Sequence, residues 1–322
     1  MQSAPFVTTR RELLLGLAGA ALASAKVRNG MYNPEIAAHT SIWLVEAEHR
    51  KRPLADILDE ALSATHAAGY RRVELTSEFL AGGLKDRTFR LLERNRLEPS
   101  IIFAEGPLYT REDAEMSRAR VKDLAWLMMG HGARYVNFSP KINAKGQPMS
   151  GAELDTEAYH LNRMGDDIAS AGLDLMVHHH EAEMRDNARE WRYLLAHTEP
   201  KLVSFCLDVD WVFRAGLSPV SLIDTAGFRL RAVHLRNPRN GQDQELFRDG
   251  DIDMAQVARL LRQMQYDGLL VIELLHNRNT RREYSLATDL SLSRWYAQEM
   301  FGWRPGSRPV DMGPHVRLHP HT

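Results

Sequence analysis

Five stretches of this chain end a short apolar run on a residue able to bind a metal or move a proton. They are Val73-Glu74-Leu75, Val177-His178-His179-His180-Glu181-Ala182-Glu183, Leu207-Asp208-Val209-Asp210-Trp211, Val233-His234-Leu235-Arg236-Asn237 and Ile272-Glu273-Leu274. Taken singly, a glutamate at a strand end is usually solvated or ion-paired, and a lone strand histidine is usually a satisfied core residue. Taken together, the last four runs bring His, Asp, His and Glu to one rim. Such a set is not buried without a cation to neutralise it. Imidazoles with carboxylates, and no thiolate, suit Mn2+, Zn2+, Co2+ or Fe2+ better than Ca2+.

The elements that must position these residues read as alternating strands and helices. Apolar runs at 40–44, 72–75, 100–104, 135–138, 173–177, 203–209, 232–235 and 269–274 predict eight strands. Helical stretches are predicted at 54–68, 86–95, 114–130, 156–171, 185–196, 220–226, 254–264 and 285–299. Glycines such as Gly69, Gly172 and Gly268 stand where a helix stops before the next strand. Eight βα units predict one α/β domain, a single (β/α)8 TIM barrel over residues 38–300, a length that suits the roughly 250 residues such a barrel needs. In that fold function gathers at the C-terminal ends of the strands, where the five runs lie. A doubly wound sheet would need a glycine-rich phosphate loop after an early strand, and the chain has no G-x-G-x-x-G or P-loop.

Composition narrows the class further. The 322 residues are 44% hydrophobic and 26% charged, with a net charge of -1 and no dense Lys/Arg run. No field favours nucleic acid or an anionic membrane. The single cysteine, Cys206, excludes an internal disulfide and a thiolate metal cluster; in the run Leu202-Val203-Ser204-Phe205-Cys206-Leu207 it reads as a buried structural thiol. Residues 1–25 read as a cleavable export signal of the twin-arginine type. Arg10-Arg11 precedes an apolar stretch from Leu13 to Leu22, which ends at Ala23-Ser24-Ala25. That stretch is far short of the roughly 20 residues that span a bilayer. The expectation is a mature protein starting near Lys26, periplasmic or secreted, with no stable membrane anchor after processing. The segment 303–322, rich in Pro, Arg and His, is expected to be a flexible tail, its His315, His319 and His321 a loose surface tract.

The strand-end runs, together with Ala215-Gly216-Leu217-Ser218-Pro219 and Asp249-Gly250-Asp251-Ile252-Asp253, resemble the xylose-isomerase-like barrel superfamily of sugar isomerases, epimerases and inosose dehydratases. The stretch from Val177 to Met184 is similar to its Y-H-N-H-x-x-E-F segment. The resemblance implies one divalent metal held by Asp208, His234 and Glu273, with a fourth ligand from the fifth strand. Many members use Glu there, whereas this chain has histidines. His180 is favoured as nearest the rim, with His178 second, as ligand or substrate contact; Glu181 is open if the strand ends differently. Arg236 stands where the family often has Lys, keeping a cation for substrate oxygens. Glu74 is expected to contact substrate, while Glu183 and Glu273 are the expected catalytic carboxylates.

The implied chemistry is enolisation of a keto-sugar, a cyclitol or a 3-keto-glycoside. The metal polarises a carbonyl and a neighbouring hydroxyl, and a carboxylate takes the α proton to give an enediolate. Returning the proton elsewhere isomerises or epimerises, and losing a β substituent makes the reaction that of a lyase. The expected partner is a small carbohydrate, not nucleic acid, and an oligomer is possible. A non-catalytic sugar- or metal-binding barrel is the alternative. An abasic-site type of endonuclease is the remote one, opposed by the neutral charge and the absence of a basic strip.

Overall fold

Eight short parallel strands close into a ring in chain order, and each buries residues on both faces. In the computed structural model, which describes residues 33–142, 146–277 and 280–302, they are β1 (Glu35–His39), β2 (Arg72–Thr76), β3 (Glu98–Pro107), β4 (Tyr135–Lys141), β5 (Asp174–Val177), β6 (Val203–Asp208), β7 (Leu230–Leu235) and β8 (Leu269–Ile272). The order is β1-β2-β3-β4-β5-β6-β7-β8, and β1 pairs back onto β8 with Glu35 opposite Leu269 and Ala38 opposite Ile272. The expected (β/α)8 barrel is therefore the observed fold.

Helices cover the outside: α1 (Ser41–His49), α2 (Leu54–Ala67), α3 (Lys85–Arg94), α4 (Arg111–Met128), α5 (Gly151–Ala169), α6 (Arg185–His197), α7 (Val209–Arg214), α8 (Pro219–Ala226), α9 (Met254–Gln263) and α10 (Leu286–Phe301). Their starts follow from local chemistry. Before α5, the Ser150 hydroxyl accepts from the Glu153 amide at 3.3 Å, and the Glu153 carboxylate accepts from the Ser150 amide at 2.7 Å. That reciprocal pair satisfies two donors a helix otherwise leaves orphaned. Ser218 caps α8, with Pro219 in the first turn, where its missing N–H is no loss.

One strand departs from expectation. The run 40–44 is not β1; the strand ends at His39, Thr40 precedes the next helix, and Ser41–His49 is helical. Ile42 and Trp43 are buried, and the Trp43 indole donates to the Thr65 hydroxyl in α2 at 3.0 Å. The apolar character that suggested a strand therefore serves to pack helix on helix. The short α7, directly after β6, was also not expected.

Two cores result. A large one lies between strands and helices, with Val73, Leu75, Ile102, Phe138, Phe205, Leu207, Val233 and Ile272 pointing outward into it. A small one fills the barrel interior with Ala37, Ile101, Met176, Cys206, Ala232, Leu269 and Val271, and Tyr135 packs against it. Period-two alternation sorts each strand between the two. Residues 1–25, read as an export signal, and 303–322, read as a tail, lie outside the described residues. No helix among the described residues is long and apolar enough to cross a membrane.

Candidate metal centre at the barrel mouth

Two residues beyond the small interior core, the same inward-facing positions turn polar. Ala37 is followed by His39, Tyr135 by Asn137, Met176 by His178, Cys206 by Asp208, Ala232 by His234 and Val271 by Glu273. Glu74 joins them from β2. Donor atoms of Asp208, His234 and Glu273 lie within 4.8 Å of one another, close enough to serve one ion.

His234 is the hub. Its Nε2 faces the Glu74 carboxylate at 2.7 Å, and its Nδ1 faces the Glu273 carboxylate at 2.8 Å. Asn137 donates to the other Glu74 oxygen at 2.7 Å, and His39 lies 3.8 Å from it. Asp208 is fixed just as fully. One oxygen accepts from the amides of Asp210 and Trp211 at 2.8 and 3.2 Å, and the other accepts from Arg236 at 2.7 Å. The Arg236 guanidinium lies 4.5 Å over the Trp211 ring and 3.5 Å from Asp210. Asp208, Glu74 and His234 are fully buried, while the Glu273 side chain keeps 18% exposure toward the mouth.

Burial opposes charge on all of these groups, so the neighbours decide each one. Desolvation works against the His234 imidazolium, but its acidic neighbours, Cys206, Glu74 and Glu273, outweigh it and hold its pKa well above the usual histidine range. Burial would raise Glu273, yet Arg236 and His234 keep its carboxyl well below the usual carboxylate range. At Asp208 desolvation wins over Arg236, and the pKa moves up. His178 is pushed well below the usual range by burial and by the rings of His234 and His180, so it is a neutral imidazole, the form that ligates a metal. Burial and His180 push His179 down to about 3; its Nε2 accepts from the Asp208 amide at 3.1 Å.

The structure thus brings Asp208, His234 and Glu273 together, with Glu74, Arg236 and His178 directly beside them and Glu183 reaching only the His180 amide. The His178 ring is 4.8 Å from that of His234. His180 sits farther out, half-buried, with Nδ1 3.3 Å from the Ser139 hydroxyl and its ring 5.7 Å from Trp211. The Glu183 carboxylate accepts from the His180 amide at 3.0 Å. It also acts on the buried Glu157, whose pKa rises to about 8 through desolvation, Glu183 and Glu190. Glu74, expected to meet substrate, has no exposed surface and spends its oxygens on His234 and Asn137. His39, Phe103 and Asn137 were not singled out from sequence. The only signal for them is period two, applied to strands already placed.

A small, partly open cleft lies beside this group, walled by Asp210, Arg236, Asn237, Phe247, Glu273 and Leu274 among others. Its rim is braced by the segment Asp249-Gly250-Asp251-Ile252-Asp253. Asn237 exchanges hydrogen bonds with the Ile252 backbone at 2.9 and 3.1 Å. A Cβ on Gly250 would stand 2.2 Å from the Pro238 carbonyl, so only glycine permits that approach.

Residues 62–294 match the family described as xylose isomerase-like TIM barrel. The chain belongs to that family. It is similar to the inosose dehydratase of Mesomycoplasma hyopneumoniae (strain J), 26% identical over 198 residues, covering 58% of this chain and 65% of that protein's length. The inosose dehydratase of Clostridium botulinum is 26% identical over 246 residues, 67% of this chain and 81% of the relative. Among solved structures, a sugar phosphate isomerase/epimerase of Parabacteroides distasonis shares the fold with TM-score 0.64 and 16% identity, over 82% of this chain and 97% of that one. D-Psicose 3-epimerase of Clostridium cellulolyticum H10 shares it with TM-score 0.62 and 12% identity, over 76% and 93%.

Proposed function

We propose that this protein is a divalent-metal-dependent enzyme that enolises an α-hydroxy ketone of carbohydrate type, a keto-sugar, cyclitol or 3-keto-glycoside. The outcome is isomerisation, epimerisation or elimination; relatives named inosose dehydratase favour elimination from a cyclitol-like ketone. The observation that carries this reading is the convergence of Asp208, His234 and Glu273 donor atoms within 4.8 Å at the barrel mouth. Two carboxylates and an imidazole fit Mn2+, Zn2+, Co2+ or Fe2+. These three residues would hold the ion, and a histidine after β5 would be the fourth donor. His178, neutral and beside His234, is better placed for that than His180, which Ser139 engages.

When bound, such an ion supplies Lewis-acid polarisation of a carbonyl oxygen. The chain's own groups do the rest. Glu74 donates nothing to substrate: it holds the far nitrogen of His234, and so fixes which nitrogen faces the centre. Arg236, always protonated, steadies Asp208 from the cleft wall and offers its charge to substrate oxygens. Glu183 takes the α proton. Returning it to the other face of the same carbon gives the epimer, and to the former carbonyl carbon the isomer. Departure of hydroxide from the β carbon completes a dehydration.

The test is metal analysis of the purified protein, followed by α-proton exchange into deuterated water over a panel of keto-sugars, inososes and 3-keto-glycosides. Glu183→Gln is expected to keep its metal and to lose exchange and turnover by about 10²–10⁴-fold. Metal-loaded protein that exchanges no member of the panel overturns the enzymatic reading. For location, we propose twin-arginine export. Replacing Arg10 and Arg11 with Lys is expected to leave unprocessed precursor in the cytoplasm, and unchanged delivery across the membrane overturns it.

A further inference from the structure

Beneath the mouth group lies a second set of donors with different chemistry. Cys206 stands two residues before Asp208 on β6, facing the barrel interior, opposite Ala232 where Asp208 is opposite His234. Donor atoms of His178, Cys206 and His234 lie within 4.8 Å of one another, and all three residues are buried. His178 is 2% exposed, and its Nδ1 has no hydrogen-bond partner. A buried imidazole nitrogen left without a partner forfeits a hydrogen bond that the fold normally satisfies. A cation bound by that nitrogen would satisfy it.

We propose that His178, Cys206 and His234 form a second metal site, selective for a thiophilic ion such as Zn2+, Cd2+ or Cu+. Two imidazoles and one thiolate are a soft set, whereas the mouth group, with two carboxylates, is harder. The thiol loses its proton to solvent as the sulfur–metal bond forms. The ion enters past Glu273, the one partly exposed member of the mouth group. Because both sets use His234, and His178 is also the fourth donor proposed for the mouth, an ion held on sulfur draws those imidazoles inward and competes with an ion at the mouth. The inference goes beyond the enzymatic reading and does not rest on it.

Cd2+ titration of the metal-free full chain tests the site directly. The chain has a single cysteine, so any thiolate-to-cadmium charge-transfer absorption reports on Cys206. Wild type is expected to develop that ultraviolet band and saturate it at one equivalent. Cys206→Ser should abolish the band and weaken Cd2+ binding by about tenfold or more, while Mn2+ affinity is unchanged. Glu273→Gln should do the converse, weakening Mn2+ and keeping the band. Circular dichroism checks that both variants fold. Absence of the band in wild type overturns the proposal whatever the variants do, as does Cd2+ affinity unchanged in Cys206→Ser or loss of the band in Glu273→Gln.

Discussion

The barrel interior has two storeys built on one rule. In both, alternate residues of successive strands point inward. The lower storey carries Ala37, Ile101, Met176, Cys206, Ala232 and Val271; the upper, two residues on, carries His39, Phe103, His178, Asp208, His234 and Glu273, with Glu74 and Asn137 beside them. Below, the side chains other than Cys206 pack against apolar neighbours, and burying one of the larger ones, Ile101, Met176 or Val271, is worth roughly 1.5–3 kcal/mol. Above, no charged group is content by itself. Glu74 needs His234, Glu273 needs His234 and Arg236, and Asp208 needs Arg236. The lower storey therefore contributes stability, and the upper one holds together as a mutually neutralising set.

The largest effect that would test this contrast is a charge placed on the wrong storey. Val271→Asp puts a carboxylate among the apolar side chains of the barrel interior, at a cost on the order of several kcal/mol, and should leave no cooperative thermal transition. A folded, metal-binding Val271→Asp protein would break the distinction. Next, Glu273→Ala removes a donor from the upper storey. Metal affinity, measured by calorimetry, should fall by more than the roughly 10–100-fold typical of losing a supporting partner. Glu74→Gln touches only such a partner. It should cost about 10–100-fold in metal affinity while the metal-free protein stays folded. Wild-type affinity in that variant would return Glu74 to a merely structural pairing. The smallest effect is Ile101→Val, a loss of about 0.5–1.5 kcal/mol in denaturant unfolding with metal content unchanged.

Much of this was legible in the sequence, and the exceptions have physical causes. Asp208, His234 and Glu273 stood out because each closes an apolar run, and parallel strands deliver such residues to one rim. β1 was misplaced by several residues. Glu35-Ile36-Ala37-Ala38-His39 is small and alanine-rich, as a tight barrel wall permits, while Thr40-Ser41-Ile42-Trp43-Leu44 has the β-branched and aromatic look of a strand. With β1 shifted, His39 disappeared from view. The role of Glu74 was illegible for another reason. Sequence gives the storey on which a residue sits but not its partner across the ring, and His234 is 160 positions away. Likewise Cys206 reads as a structural thiol in its own strand, and only the ring brings His178 and His234 beside it.

The pairing of β1 with β8 has a consequence for how the chain is made. Glu35 waits for Leu269 before its strand has two neighbours. Contacts so distant in sequence are won late, because the loop-closure entropy must be met first. Until Leu269–Ile272 is available, the nascent sheet is an open fan with two bare edges, each a template for strands of another chain. A truncation that stops short of β8 should therefore be recovered as aggregate. Adding the missing segment should rescue solubility all at once, when the ring shuts.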